Sequence, residues 1–137
     1  MTMSEVDAAR QLAESRPGQA VRAISGKTRW DWVPWVAMEQ VALVFTICQS
    51  TPEQHPRGIG KYAPNNWITG TGLPLMGYFR GCISHLVRYF IKGEELDDET
   101  GLHHLAHATW NVLCALETVL QRKGIDDRPS IPPEALT

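Results

Sequence analysis

Helical periodicity of the apolar residues is the feature that most constrains how this chain folds. Apolar residues recur every three to four positions over residues 35–49, about 75–92 and about 98–123, the spacing of one face of an α-helix. Gly93 and Gly124 follow the second and third stretches, and glycine commonly ends helices. The chain shows neither the alternating pattern of a β-strand nor an internal repeat. These features predict an all-α fold, a small helical bundle.

The length of 137 residues suits a single domain. Residues 1–24 are predicted to form an N-terminal arm with a short helix over residues 4–15, and the proline-rich residues 124–137 an extended or mobile tail. Residues 50–74 contain much of the proline and glycine and are predicted to be a long loop. The aromatic residues Tyr62 and Trp67 indicate that this loop is ordered.

Composition excludes several classes of protein. A net charge of -2 and a pI near 6.2 give no basic surface for a nucleic acid polymer. Cys48, Cys82 and Cys114 are an odd set without C-x-x-C spacing, which favours reduced, packed thiols. There is no leader-like N-terminus and no uninterrupted apolar run of about 18 residues. We therefore expect a cytoplasmic protein with no membrane partner.

The segment over residues 93–111 carries the strongest chemical signal. Its carboxylates are Glu94, Glu95, Asp97, Asp98 and Glu99. A helix N-terminus stabilises acids, but this accounts for only one or two of them. If the third helix begins near residue 98, one stripe of it contains Asp97, Thr100, His104, His107 and Asn111. Two histidines and an acid on one stripe favour a metal or phosphate site, whereas His103 points elsewhere and is expected to pack.

Glu39 is a second candidate site residue. It lies mid-helix among apolar residues, in a helix that the pattern predicts to be buried nearly all round. A buried carboxylate needs a partner, which is either a cation shared with the acids after Gly93 or a basic residue. The basic candidates are Lys61, Arg80 and Arg88. On the second helix, His85 and Arg88 share a face that is either solvated or able to meet phosphate oxygens.

These residues also match a family pattern. In chain order the matching elements are RWDWVPW, Glu39 in an apolar helix, KYAPNNW, His85-Leu86, GEELDDETGLHHLAHA and Asn111. This order resembles the phage dATP/dGTP diphosphohydrolases, a branch of the MazG-like all-α nucleotide pyrophosphohydrolases. The resemblance covers residues 26–120. It implies a helical bundle that self-associates as a dimer or tetramer.

The resemblance also implies an activity, which is cleavage of a purine deoxynucleoside triphosphate, dATP or dGTP, to the monophosphate and pyrophosphate. In some phages this activity supports replacement of adenine by 2-aminoadenine. Clustered carboxylates would hold Mg²⁺ or Mn²⁺, and a histidine among the ligands would favour Mn²⁺ or another borderline metal.

Candidate roles follow for fourteen residues. The expected metal ligands are Glu39, Glu94, Asp97, Asp98 and Glu99. Glu39, Glu94, Asp97 and Glu99 are expected to converge and, with His104, to be catalytic. The expected substrate contacts are Lys61, Tyr62, Asn66, Trp67, His85, Arg88, His107 and Asn111. In this scheme Lys61 meets a phosphate, and Asn66 or a ring of Tyr62 or Trp67 meets the base.

Two alternative functions remain. One is a triphosphohydrolase of the HD type, which would release tripolyphosphate, although the chain contains no His-Asp dipeptide. The other is a non-catalytic helical binding or assembly module, whose acids and histidines are only a polar helix face. Product analysis separates the two enzymes, and metal dependence separates an enzyme from a module.

Overall fold

The computed structural model describes residues 4–8 and 26–136. The chain divides into two compact units, Met1–Val33 and Pro34–Thr137. In the first unit, residues 5–8 are helical and Trp30–Trp32 forms a 3-10 helix. The Arg29 guanidinium pairs there with Glu5 at 3.0 Å and with Asp31 at 2.6 Å. The predicted helix over residues 4–15 lies mostly outside the described residues.

The second unit contains three α-helices, which we name α1 (Trp35–Gln49), α2 (Leu75–Phe90) and α3 (His104–Leu120), and a 3-10 helix, Pro133–Leu136. Within the described residues the only β-type pairings are two isolated bridges. Helix α3 packs against both α1 and α2, and α2 runs antiparallel to it. The predicted all-α class is confirmed. The bounds predicted for α1 are those observed, and α2 ends two residues before the predicted position.

Helix α3 begins at His104, six residues after the predicted start. The acidic residues before it form a tight turn, because the Asp97 carboxylate accepts hydrogen bonds from the backbone N–H groups of Glu99 and Thr100 at 3.0 and 2.9 Å. An acid that bonds to its own backbone in this way competes with helix formation. Gly101 has a φ of +71°, a left-handed conformation that glycine adopts at little cost. The prediction that Asp97 and Thr100 lie on α3 is therefore wrong.

Helix α1 is buried on one side only, contrary to the prediction. Val41, Val44, Ile47 and Cys48 are buried, whereas Glu39 and its neighbours in the first two turns are largely exposed. Only the second half of α1 packs into the core cluster, with Leu102 and Ala106. The apolar neighbours of Glu39 in the sequence do not bury it, because in a helix each residue faces a different direction. The argument for a buried Glu39 that needs a partner is therefore wrong.

The loop over residues 50–74 is ordered by its attachment to the end of α1. The last carbonyl groups of a helix lack hydrogen-bond donors within the helix, and here N–H groups of the loop donate to two of them. Ile59 N–H donates to the Ile47 carbonyl at 2.9 Å, and Tyr62 N–H donates to the Cys48 carbonyl at 3.0 Å. Trp67 anchors the loop in the core, with only 8% of its surface exposed. This attachment fixes the positions of Lys61 and Tyr62.

The beginning of the C-terminal tail is attached to the bundle. Ile125 exchanges backbone hydrogen bonds with Leu73 and Leu75. The Asp127 carboxylate accepts a hydrogen bond from the Met76 N–H group at 2.9 Å, which supplies one of the missing partners at the N-terminus of α2. Residues 125–127 of the predicted extended or mobile tail are therefore attached to the bundle.

The three cysteines are free thiols, as predicted. Cys48 and Cys114 are buried and Cys82 is half-buried, and burial raises the pKa of Cys114 to about 12. Among the described helices, none combines the length and apolar character needed to cross a bilayer.

Candidate active site

The turn between α2 and α3 holds one acid in a fixed orientation. Oδ1 of Asp97 accepts the two backbone hydrogen bonds described above and a third from the Thr100 hydroxyl at 3.2 Å. Its other oxygen, Oδ2, accepts no hydrogen bond from the described residues. The backbone closes around the turn, because Asp97 N–H donates to the Leu102 carbonyl at 2.8 Å. Asp97 thus presents one bound and one available carboxylate oxygen.

Three histidines from two helices meet beside this turn. His85 lies on α2, and His104 and His107 lie on the first two turns of α3. The Nδ1 atoms of His85 and His104 are 2.8 Å apart. The rings of His85 and His107 are stacked, with centroids 4.6 Å apart. Nε2 of His107 is 2.7 Å from the Thr100 hydroxyl, which connects the histidine cluster to the turn.

The charges in this cluster are set by burial and proximity. Burial, together with the neighbouring His107 and His104, lowers the pKa of His85 to about 4, so this ring is neutral at pH 7. Burial also lowers the pKa of His107, although Asp97 opposes that effect. For Asp97 itself, burial alone would raise the pKa, but the hydrogen bonds from Thr100 and Glu99 and the nearby His107 hold it below its usual value. An ionised carboxylate therefore lies beside neutral imidazole.

Within the described residues, His85, Asp97 and His104 form a group with the spacing of metal ligands. One ligand atom from each lies within 4.8 Å of the other two. His104 has only 1% of its surface exposed, and its Nε2 atom is buried without a hydrogen-bond partner among the described residues. The nearest carboxylate oxygen to it, Oε2 of Glu94, is 3.7 Å away. A buried polar atom without a partner is unusual in a folded protein, which marks His104 as a candidate site residue.

A polar cavity of about 290 Å³ opens beside the cluster. Its polar lining residues are Lys61, Tyr62, His85, Asp97, Glu99, His107 and Asn111. The Lys61 ammonium pairs with the Glu99 carboxylate at 3.0 Å, and this hydrogen bond raises the pKa of Lys61. The loop over residues 50–74 and the turn before α3 therefore meet across the cavity.

An aromatic cavity of about 270 Å³ adjoins the polar one. Its lining residues are Tyr62, Asn66, Trp67, Leu73, Pro74, Gly77, Tyr78, Arg80, Trp110 and Asn111. The two cavities share Tyr62, Gly77, Trp110 and Asn111. Gly77 and Gly81 lie one turn apart on α2. A methyl group at Gly81 would lie only 2.5 Å from Oδ1 of Asn111, whereas one at Gly77 would enter open space.

Most of the residues expected to bind substrate line one of these two cavities. Lys61, Tyr62, His85, His107 and Asn111 line the polar cavity, and Asn66 and Trp67 line the aromatic one. Among the expected acids, Asp97 and Glu99 line the polar cavity and Glu94 lies beside His104. Glu39, Asp98 and Arg88 are exposed and line neither cavity.

Sequence reasoning missed three contributors to the site. It named Arg80 only as a possible partner of Glu39, and it did not select Gly77 or Gly81, although two glycines one helical turn apart in an apolar helix signal a close approach to the helix backbone. It also assigned His85 to the substrate alone. The grouping of His85 with Asp97 and His104 depends on a contact between two helices, which periodicity within one helix does not reveal.

The family model described as dATP/dGTP diphosphohydrolase, N-terminal, matches residues 17–128. No curated protein and no solved structure matches the chain. The matched segment includes all three helices and every residue that lines the two cavities. The chain belongs to the dATP/dGTP diphosphohydrolase family, matched through its N-terminal domain.

Proposed function

We propose that this protein is a metal-dependent pyrophosphohydrolase that converts dATP or dGTP to the monophosphate and pyrophosphate. The observation that carries the proposal is the pair of adjoining cavities, one lined by acids and histidines and the other by aromatic rings. A nucleoside triphosphate has the same division, because its base is flat and apolar and its phosphates are charged. The family description names the same two purine nucleotides.

The aromatic cavity is the part suited to the base. Rings of Tyr62, Trp67 and Trp110 line it, and aromatic rings stack on bases without a strong preference among them. Amide groups of Asn66 and Asn111 lie in the same lining and supply both hydrogen-bond donors and acceptors. These amides would discriminate purines by the edge of the base.

The polar cavity is the part suited to the phosphates. Lys61 can exchange its carboxylate partner Glu99 for a phosphate oxygen without leaving the cavity wall. Water attacks the α-phosphorus and gives up one proton to solvent, the bond to the oxygen that bridges the α and β phosphates breaks, and pyrophosphate leaves with the bonding electrons. A divalent cation, Mg²⁺ or Mn²⁺, would neutralise the triphosphate and lower the pKa of a bound water. Asp97 is the acid best placed to hold it, with Glu94 and Glu99 nearby.

We also propose that a second copy of the chain covers an exposed apolar face. Helix α2 exposes Phe79, Ile83, Val87 and Phe90, and α3 exposes Val112, Leu116 and Val119. Residues of both helices line one open apolar groove of about 480 Å³. An apolar face of this extent marks an interaction surface. Pairing two such antiparallel helix pairs about a two-fold axis gives a four-helix bundle, so a dimer, or a tetramer made of two such dimers, would bury this face.

Light scattering after gel filtration tests this assembly. The unaltered protein is expected to give the mass of a dimer or tetramer, and Leu116→Glu to give that of a monomer, since it places a charge in the apolar face. Glu117→Gln, on the neighbouring exposed position, is the control and should retain the assembly. A monomeric unaltered protein would overturn the proposal.

Product analysis tests the activity. The full chain is incubated with each canonical nucleoside triphosphate and with Mn²⁺ or Mg²⁺, and the products are separated by ion-exchange chromatography. Monophosphate and pyrophosphate from dATP or dGTP are expected. Nucleoside and tripolyphosphate would favour a triphosphohydrolase instead, and no turnover together with no metal-induced rise in Tm would favour a binding module. If the source is a phage, the activity would remove dATP and supply dGMP, which suits the use of 2-aminoadenine.

A further inference from the structure

We infer that this site is built for a first-row transition metal, such as Mn²⁺ or Co²⁺, rather than for Mg²⁺, with His85, His104 and Asp97 as its ligands. The inference rests on the proposed function only in that the metal would serve the same site. It assigns His85 to the metal, not to a phosphate. The ligand set also differs from the one predicted from sequence, because it contains a single carboxylate, that of Asp97, and two imidazoles, whereas the predicted metal ligands were all carboxylates.

The carboxylate of Asp97 is held in one orientation, with one oxygen available to bind a cation. Three hydrogen bonds from the turn hold Oδ1, so the side chain cannot rotate freely. Oδ2 accepts none from the described residues, and the side chain is largely buried. A fixed carboxylate with one available oxygen costs little ordering entropy when a cation binds.

The two imidazoles are also prepared for a cation. With Nδ1 atoms only 2.8 Å apart, one ring donates a proton and the other accepts it. In either arrangement, Nε2 of His104 has no hydrogen-bond partner among the described residues. If a cation binds both Nδ1 atoms, the shared proton moves to Nε2 of the ring that carried it, so that both rings stay neutral. The Nε2–H group of His104 then faces Oε2 of Glu94, now 3.7 Å away. A ligating histidine that donates its second N–H group to a carboxylate is the usual arrangement at metal sites.

The types of donor atom decide which metal fits. Mg²⁺ prefers oxygen ligands and keeps several waters, whereas imidazole nitrogen suits the later first-row metals. Two nitrogens and one carboxylate oxygen therefore favour a first-row transition metal over Mg²⁺, with Co²⁺ or Zn²⁺ bound most strongly and Mn²⁺, the weakest binder of that series, less so. The half-buried position of His85 and the full burial of His104 exclude much of the water that Mg²⁺ would retain.

Binding of Mn²⁺ to the full chain without nucleotide tests the inference. Mn²⁺ affinity is measured by the electron paramagnetic resonance signal of the free ion, with Mg²⁺ as competitor. Pulsed electron paramagnetic resonance of the bound Mn²⁺ detects nitrogen ligands by their ¹⁴N couplings. We expect ¹⁴N couplings and displacement of Mn²⁺ only by a large excess of Mg²⁺. Asp97→Asn and His85→Asn should each weaken Mn²⁺ binding by at least about tenfold, the range seen when ligand shells are disturbed.

His103→Asn is the matched control. His103 is the neighbouring histidine and caps α3 by accepting a hydrogen bond from Leu105 N–H at 3.0 Å. Asparagine serves as well at this position, so Mn²⁺ binding should be unchanged. His104→Asn is avoided because a fully buried residue is replaced and the variant can unfold. Circular dichroism establishes that the other variants are folded.

Two results would overturn the inference. One is bound Mn²⁺ without ¹⁴N couplings, and the other is unchanged Mn²⁺ affinity in folded His85→Asn. The outcome is distinct from that of the proposed function. Nitrogen-bound Mn²⁺ without any turnover would leave this site standing and remove the activity, whereas turnover with Mg²⁺ and no nitrogen couplings would do the reverse.

Discussion

The polar and aromatic cavities share a wall but are held together by different forces. Hydrogen bonds position the polar side, where the turn fixes Asp97 and the Thr100 hydroxyl contacts His107. Ring packing positions the aromatic side, where the ring centroids of Trp110 and Trp67 lie 5.6 and 6.0 Å from that of Phe45. Substitutions on the polar side should therefore change turnover with little effect on folding. Those on the aromatic side should change affinity for the nucleotide and, where a buried ring is lost, stability as well.

The largest effect is expected for Asp97→Asn. The asparagine oxygen can still accept the hydrogen bonds of the turn, so the fold should survive while the charge is lost. A cation contributes several kcal/mol of transition-state stabilisation, so we expect kcat/KM to fall roughly 100-fold or more. Glu95→Gln, in the same loop and exposed, is the control and should keep near-normal activity. Steady-state kinetics measure both variants, and equal kcat/KM values for Asp97→Asn and Glu95→Gln would show that Asp97 takes no part in catalysis.

A smaller effect is expected for Lys61→Ala. Hydrogen bonds to charged groups contribute about 1.5 kcal/mol or more, so KM for the triphosphate should rise about tenfold. The ion pair with Glu99 is half-exposed, and such pairs add little stability, so Tm should hardly change. Lys92→Ala, at an exposed position in the turn that follows α2, is the control. Unchanged kinetic constants would place the lysine outside the substrate site.

The predictability of this site from sequence depends on the range of the interactions involved. The bounds of α1 and the start of α2 follow from apolar periodicity, which is a local signal, and the end of α2 follows to within two residues. The start of α3 does not, because the Asp97 side chain bonds to the backbone of Glu99 and Thr100 and removes them from the helix. Thr100 still reaches His107, so two residues assigned to one helical stripe meet through a turn instead.

Glu39 illustrates the opposite difficulty. Its apolar neighbours suggested burial, but the first two turns of α1 are largely exposed in the chain. Apolar composition alone does not reveal which surface of a helix meets the core and which meets solvent or another copy. The pairing of His85 with His104 was likewise beyond sequence reasoning, since it depends on the register between α2 and α3.

A moderate effect on affinity is expected for Tyr62→Leu in the aromatic cavity. Stacking of a base on a ring contributes about 1–3 kcal/mol, and the ring is partly exposed. We expect KM for dATP and dGTP to rise roughly fivefold, with kcat nearly unchanged, because a lost ground-state contact affects binding before chemistry. Tyr62→Phe keeps the ring and should keep the affinity. A fall in kcat alone would assign Tyr62 to the polar side instead.

The smallest effect is expected for Gly77→Ala, at the junction of the two cavities. A methyl group there meets no atom within 4 Å, so it fits the protein but takes space from the nucleotide. Alanine in place of a helical glycine stabilises a helix by about 0.5–1 kcal/mol, so Tm should rise by a few degrees. KM should rise only a few-fold.

Gly81→Ala is the contrasting variant one turn along α2. At Gly81 the methyl group would lie 2.5 Å from Oδ1 of Asn111, so Gly81→Ala should lower both Tm and activity. A lower Tm for Gly77→Ala would contradict the open space that the structure shows at this position. A raised Tm with an unchanged KM would mean that the bound nucleotide does not extend from one cavity into the other at Gly77.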